Sequence, residues 1–240
     1  MIAVDPLQVS RLLLLALGTR MHLFNQNRIP QDGALLVVSN HRSFMDAPLL
    51  MAALNRPIRF ACHHYMGQVP VMREIVSKLG CFPLDAPQNL QQSFFRQAVQ
   101  LLQTQQVVGV FPEGAQPMIK RTIPSQMGDF QRGFAHLALR APIRELAILP
   151  VAIASQDEVI HKGIPLRVLS LFDPSEPLFA QNGWHPMVTY QRVNVLVGRP
   201  HWIRPAQQEH YQGKQAKGQV VELTHQCHAE IGDLLRQGFY

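Results

Sequence analysis

Short, wholly apolar runs separated by longer segments of helical spacing constrain this chain more than any other feature. Ala34-Leu35-Leu36-Val37-Val38 offers no polar residue to solvent, so as a strand it must be covered on both faces. Val107-Val108-Gly109-Val110-Phe111 reads the same way. Between and after them the spacing predicts a helix near 46–54, a strand near 58–62, and a helix near 68–79 closed by Gly80. A short strand at 81–84 and a helix at 89–103 follow, the latter carrying Leu90, Phe94, Ala98 and Leu101-Leu102. A helix near 133–140, a strand at 147–153, and strands at 167–171 and 192–197 come next. Val220, Leu223, Cys227, Ile231 and Leu234 predict a closing amphipathic helix. Strands alternating with helices imply an α/β fold, a mostly parallel sheet covered by helices on both faces.

Composition narrows the functional classes. The 240 residues suffice for one large domain, and 47% of them are apolar, which fits a sizeable core. Only 16% are charged, against a usual ~25%, as expected where a protein keeps a large apolar surface. The net charge of +6 fits nucleic acid, an anionic membrane surface, or an acidic substrate. Lys and Arg are scattered without a basic run, so nucleic acid is disfavoured as a partner. Cys62, Cys81 and Cys227 are odd in number and far apart, which points to a reducing compartment rather than a disulfide framework. No C-x-x-C occurs, and His63-His64 has no companion at a ligand spacing, so no metal is expected.

Residues 11–24, RLLLLALGTRMHLF, read as helix, but the apolar run from Leu12 to Gly18 is far short of the ~20 residues that span a bilayer. Arg11 and Arg20 flank it, which suits a helix lying in the membrane interface. A helix packed on the domain core fits equally well. Trp184 and Trp202 likewise suit either an interface or a core.

Two motifs carry the chemistry. Asn40-His41-Arg42-Ser43-Phe44-Met45-Asp46 follows the first apolar run directly. It puts a histidine and a carboxylate where a buried strand leaves its sheet, the edge at which open α/β sheets hold ligands. Five residues on an α-helix turn through about 500°, so the two do not share a helical face. His41 therefore sits in the loop, with Asp46 reaching back from the first turn of the next helix. Phe111-Pro112-Glu113-Gly114 leaves the second buried strand, so Glu113 can face the same crevice.

The pair of motifs resembles the glycerolipid acyltransferases, whose best-known members acylate lysophosphatidic acid. Asn40, His41, Ser43 and Asp46 match that family's first block, and Phe111-Pro112-Glu113-Gly114 its third. Ile148-Leu149-Pro150-Val151 looks like the fourth. The resemblance covers roughly residues 30–155. It implies a glycerol-3-phosphate acyltransferase-like fold at 29–240, preceded by an N-terminal interfacial or packing helix at 1–28. It also implies a peripheral enzyme at the cytoplasmic face of a membrane, with no cofactor. Its partners would be an acyl donor (acyl-coenzyme A or acyl carrier protein) and a lysolipid acceptor. Alternatives are acylation of a non-phosphate alcohol, such as a glycolipid or pigment, or a non-catalytic lipid-binding protein on the same fold.

On that resemblance His41 is the general base and Asp46 orients its ring. Glu113 holds an acceptor hydroxyl or anchors a basic side chain, with Phe111, Pro112, Gly114 and Ser43 around the substrate. Ser43 lacks a nucleophile elbow and reads as a loop-capping hydroxyl. Backbone amides near Gly114 or around a turn at Pro150 are candidate oxyanion donors. Two family arginines are missing. Ala86 stands where the second block has one, and Ala115-Gln116 where the third ends in Thr-Arg. Both arginines are associated with the acceptor's phosphate, a task suited to a guanidinium fork. Lys120, Arg121, Arg132 and Arg42 are the candidate replacements.

Overall fold

The computed structural model describes residues 5–62, 66, 70–84, 90–114, 116–119, 122–171, 174, 177–209, 211 and 213–239. Helix α1, Pro6–Ala16, begins where the Asp5 side chain accepts from the Leu7 amide at 3.1 Å, with proline at the first helical position. It stops before Gly18, whose φ of +67° turns the chain. The expected helix over 11–24 therefore ends early. Arg20–Phe24 is instead strand β1, its side chains alternating in exposure, with Met21 and Leu23 packed against the core.

The other strands are β2 (Ala34–Ser39), β3 (Ile58–Cys62), β4 (Phe82–Pro83), β5 (Val107–Val110), β6 (Leu146–Pro165), β7 (Trp184–Val197) and β8 (His201–Ile203). They form one sheet in the order β1-β7-β6-β2-β5-β3-β4, with β8 beside the start of β6. Neighbours run parallel except that β7 and β8 lie antiparallel to β6. The mostly parallel, doubly covered sheet expected from the alternation is present.

Successive residues of β2 serve opposite faces. Leu35 and Val37 pack with Leu14 of α1 and with Leu49, Leu50 and Met51 of α2, Asp46–Leu54. Leu36 and Val38 pack with three helices: α4 (Leu90–Gln103), α6 (Gly133–Arg140) and α9 (Gly213–Gln237). Helix α3, Pro70–Lys78, lies between β3 and β4 in sequence, and the short α5, Gln116–Ile119, and α8, Pro205–Glu209, follow β5 and β8. Pairing with β5 and β6 satisfies the β2 ladder, and cover on both faces removes a continuous apolar run from water.

Three local expectations change. First, the strand expected at 167–171 is a single helical turn, α7, Leu166–Leu169; a short apolar run does not distinguish the two states. Second, β6 does not end near 153. It runs on to Pro165, and beyond Val151 it pairs with β7 alone. Its residues change at Gln156 from uniformly buried to alternating. Beyond Asp157, where β1 no longer flanks β7, the two strands form an arm that leaves the sheet. Third, Pro150 is not in a turn. It lies within β6 opposite Val38, where β7 has ended and β8 has not begun. Its carbonyl accepts from Gly198 on that side at 2.8 Å, so its missing N–H faces the gap and interrupts no ladder.

Helix α1 combines both readings made for it. Ser10 and Leu14 are buried against α2, while Leu12 and Leu15 are 65% and 77% exposed. Trp184 and Trp202 are each half exposed and fill no core. No helix among the described residues is long and apolar enough to cross a membrane.

Candidate active site

Strand β2 carries its pairing one residue further by side chain. The Asn40 carboxamide donates to the Ile153 carbonyl at 3.0 Å and accepts from the Ile153 amide at 2.8 Å. The chain then leaves the sheet as the His41 loop, and α2 begins at Asp46. His41 Nδ1 lies 2.8 Å from Asp46 Oδ2. The same oxygen accepts from the amides of Arg42 at 2.6 Å and Ser43 at 2.8 Å. The other, Oδ1, accepts from the Tyr190 hydroxyl at 2.6 Å. Asp46 is wholly buried, whereas 18% of the His41 side chain reaches solvent. The carboxylate accepts, so the ring nitrogen facing it carries a proton, and in the neutral ring Nε2 is then the nitrogen with the lone pair.

The ring is also held by stacking. Phe111 lies against His41 with centroids 4.1 Å apart and planes 10° apart. Phe60 stacks on Phe111 in turn, at 4.9 Å and 7°. Gly109 makes room for this column: a Cβ there would lie 2.2 Å from the Phe60 ring. A fixed plane for the imidazole fixes the direction of Nε2.

Glu113 ties three segments together. Its Oε1 accepts from the His41 amide at 2.9 Å and its Oε2 from the Gly128 amide at 2.6 Å. Burial pushes its carboxyl above the ordinary range, against the opposing pull of the two amides and of His41. The Phe111-to-Gly114 turn closes through the Gly114 amide on the Phe111 carbonyl at 3.1 Å, with Gly114 at φ +69°. Gln131 donates to the Pro112 carbonyl at 2.8 Å.

The expected site residues thus divide. His41, Asp46, Phe111, Pro112, Glu113 and Gly114 converge. Ser43 lies beneath the loop, its hydroxyl donating to the Val188 carbonyl at 2.6 Å and accepting from the Met45 amide at 3.0 Å. That hydroxyl has a structural task on both sides. Of the suggested oxyanion donors, the Gly114 amide closes its own turn, Pro150 lies mid-strand, and residue 115 lies outside the described residues. Arg132 is exposed at the start of α6. Burial lowers the neighbouring His136, and the charges of Arg140 and Arg132 add to that. Lys120, Arg121, Ala86 and the His63-His64 pair lie outside the described residues.

Arg42 is engaged rather than free. Its guanidinium makes a two-point pair with Glu158 at 2.8 and 2.5 Å and donates to Thr122 Oγ1 and O at 3.0 and 2.7 Å. Burial opposes its charge, but Glu158 outweighs that and holds it above its ordinary value. Beside this pair opens a hollow of about 790 Å³, lined also by Ile123, Pro124, Val159 and Ile160.

Sequence reasoning missed Tyr190, Glu158, Phe60 and His185. Burial lowers His185 in pKa, and proximity to His41 lowers it further. Tyr190 stands 144 positions from Asp46, and no local pattern marks it.

A doubly covered α/β sheet here carries a carboxylate-held imidazole at the carboxyl end of a central strand. The chain belongs to the acyltransferase family, whose model matches residues 20–154, and the protein is an acyltransferase. It is similar in fold to the 1-acyl-sn-glycerophosphate (LPA) acyltransferase PlsC from Thermotoga maritima. The TM-score is 0.56 and the identity 17%, with 93% of this chain and 77% of that one covered. The glycerolipid acyltransferase resemblance drawn from the two motifs therefore holds. No curated protein matches the chain.

Proposed function

We propose that this acyltransferase moves a fatty acyl group from a thioester, acyl-coenzyme A or acyl carrier protein, to a hydroxyl of a lysophospholipid-like acceptor. The observation that carries the reading is the His41–Asp46 pair at 2.8 Å, solvent-accessible at His41 and sealed at Asp46. His41 Nε2 takes the acceptor hydroxyl proton as that oxygen attacks the thioester carbonyl carbon. Asp46 stabilises the imidazolium. The tetrahedral oxyanion collapses, the carbon–sulfur bond breaks, and the imidazolium proton passes to the departing thiolate. Ser43, with its hydroxyl already committed, is not required as a nucleophile.

Attachment is peripheral, at the cytoplasmic face of a membrane. The exposed Leu12 and Leu15 and the basic chain support it.

One observation favours a second reading of the acceptor. Arg42 gives four of its five N–H donors to Glu158 and Thr122, and Gln116 replaces an expected arginine, so neither position offers a free guanidinium fork to a phosphate. An acceptor without a phosphate, such as a glycolipid or pigment alcohol, fits that absence.

Thioester consumption with a panel of lysolipids and uncharged alcohols tests both readings. His41→Ala is expected to lower turnover by roughly 10²- to 10⁴-fold with the fold retained. An unchanged rate would end the general-base mechanism, and a preference for uncharged alcohols would move the acceptor to the second reading.

A further inference from the structure

Strands β6 and β7 grip the His41 loop at four points. Asn40 pairs with Ile153, Arg42 with Glu158, Ser43 with the Val188 carbonyl, and Asp46 with the Tyr190 hydroxyl. The first three act on the loop's course. The fourth acts on the carboxylate that faces the reacting ring.

Asp46 is loaded unevenly. Its Oδ2 accepts from His41, Arg42 and Ser43, while its Oδ1 accepts from Tyr190. The terminal torsion of an aspartate is broad and roughly two-fold, so donors on both oxygens select one orientation. Tyr190 is itself fixed. It is fully buried, and its carbonyl accepts from Thr19 Oγ1 at 2.9 Å. Burial, reinforced by Asp46, pushes the phenol well above its ordinary value, so it stays a donor throughout the neutral range.

We propose that Tyr190 is a positioning residue of the acyl transfer. Its hydroxyl holds the Asp46 carboxylate so that Oδ2 meets His41 Nδ1, and by sharing the carboxylate's charge it sets how strongly that carboxylate holds a proton on the ring. This rests on the acyl-transfer reading above. The other charged or titratable groups facing the pair are Glu113 at the His41 amide, Arg42 with Glu158 on the arm, and His185. A change confined to Tyr190 leaves all of them in place.

Tyr190→Phe keeps the ring and deletes the donor. Turnover is expected to fall roughly 10- to 100-fold, the worth of one hydrogen bond to a charged group, with KM for donor and acceptor unchanged. The acidic limb of the kcat/KM profile should move to higher pH, because a carboxylate with fewer donors keeps the imidazolium protonated longer. On an Asp46→Asn background the same substitution should cost less than about twofold, because its route of action is already gone. An unmoved acidic limb, or a full multiplicative loss on Asp46→Asn, overturns the proposal. Should Tyr190→Phe fold poorly, 3-fluorotyrosine at position 190 keeps the shape and donates more strongly. It should move the limb to lower pH, and an unmoved limb overturns the proposal as well. Nitrogen NMR of the His41 ring gives a readout without turnover. If the unmodified protein transfers no acyl group, the acyl-transfer reading fails. A ring spectrum identical in Tyr190→Phe then overturns the tyrosine's role, and an altered one sustains it.

Discussion

Glu113→Gln separates tethering from acceptor binding at the residue most central to the second motif. In the folded protein both carboxylate oxygens accept backbone amides, from His41 at 2.9 Å and Gly128 at 2.6 Å. Glutamine keeps one acceptor oxygen and puts an NH₂ group where the other was. One buried amide then meets a donor, which costs about 1–3 kcal/mol. Burial already raises the Glu113 carboxyl, so neutralising it recovers part of that, and the lower half of the range is expected. For a chain of this size ~1 kcal/mol lowers Tm by roughly 2–4 °C, giving about 2–8 °C in all. Freeing the His41 amide also loosens the loop, and a misplacement on the order of 1 Å costs as much as ~10²-fold in rate. Thermal unfolding and steady-state kinetics should therefore show a lower Tm, a lower kcat and an unchanged acceptor KM. An unchanged Tm with a raised acceptor KM would refute the tether and give Glu113 to the acceptor hydroxyl.

Two further outcomes follow from the packing and from burial. Gly109→Ala drives a methyl into Phe60, which should cost about 1–3 kcal/mol in urea unfolding and lower turnover through the Phe60–Phe111–His41 column; an unchanged urea midpoint would show that the column yields freely. His185 is lowered by burial and then by His41, so the unfolded chain takes up its proton at about pH 6.5 and the folded chain only below that. Stability should therefore fall as pH drops beneath about 6.5, and His185→Asn should flatten that part of the urea-midpoint profile. An identical slope in the variant would remove His185 from the account.

Whatever depends on neighbours in the chain was legible. A run such as Leu35-Leu36-Val37-Val38 must be buried on both faces wherever it lies, so β2, β5 and the parallel sheet follow from alternation alone. The same holds for the His41 loop and for Asp46 at the first turn of α2, because five residues cannot span one helical face. The length of β6 was not legible. Its second half alternates polar residues that suit a loop or an arm equally, and only pairing with β7 makes it a strand. The mode of holding Asp46 was not legible either. A buried carboxylate needs donors, but the sequence does not say which distant side chain supplies them, and Tyr190 is selected by the antiparallel return of β7. Glu113 shows the division within one residue. The sequence put it at a strand end facing the His41 loop, but whether its oxygens meet a substrate or two backbone amides depends on where residue 128 returns. That return is set by tertiary packing, because a buried carboxylate takes whichever donors the folded chain brings within reach.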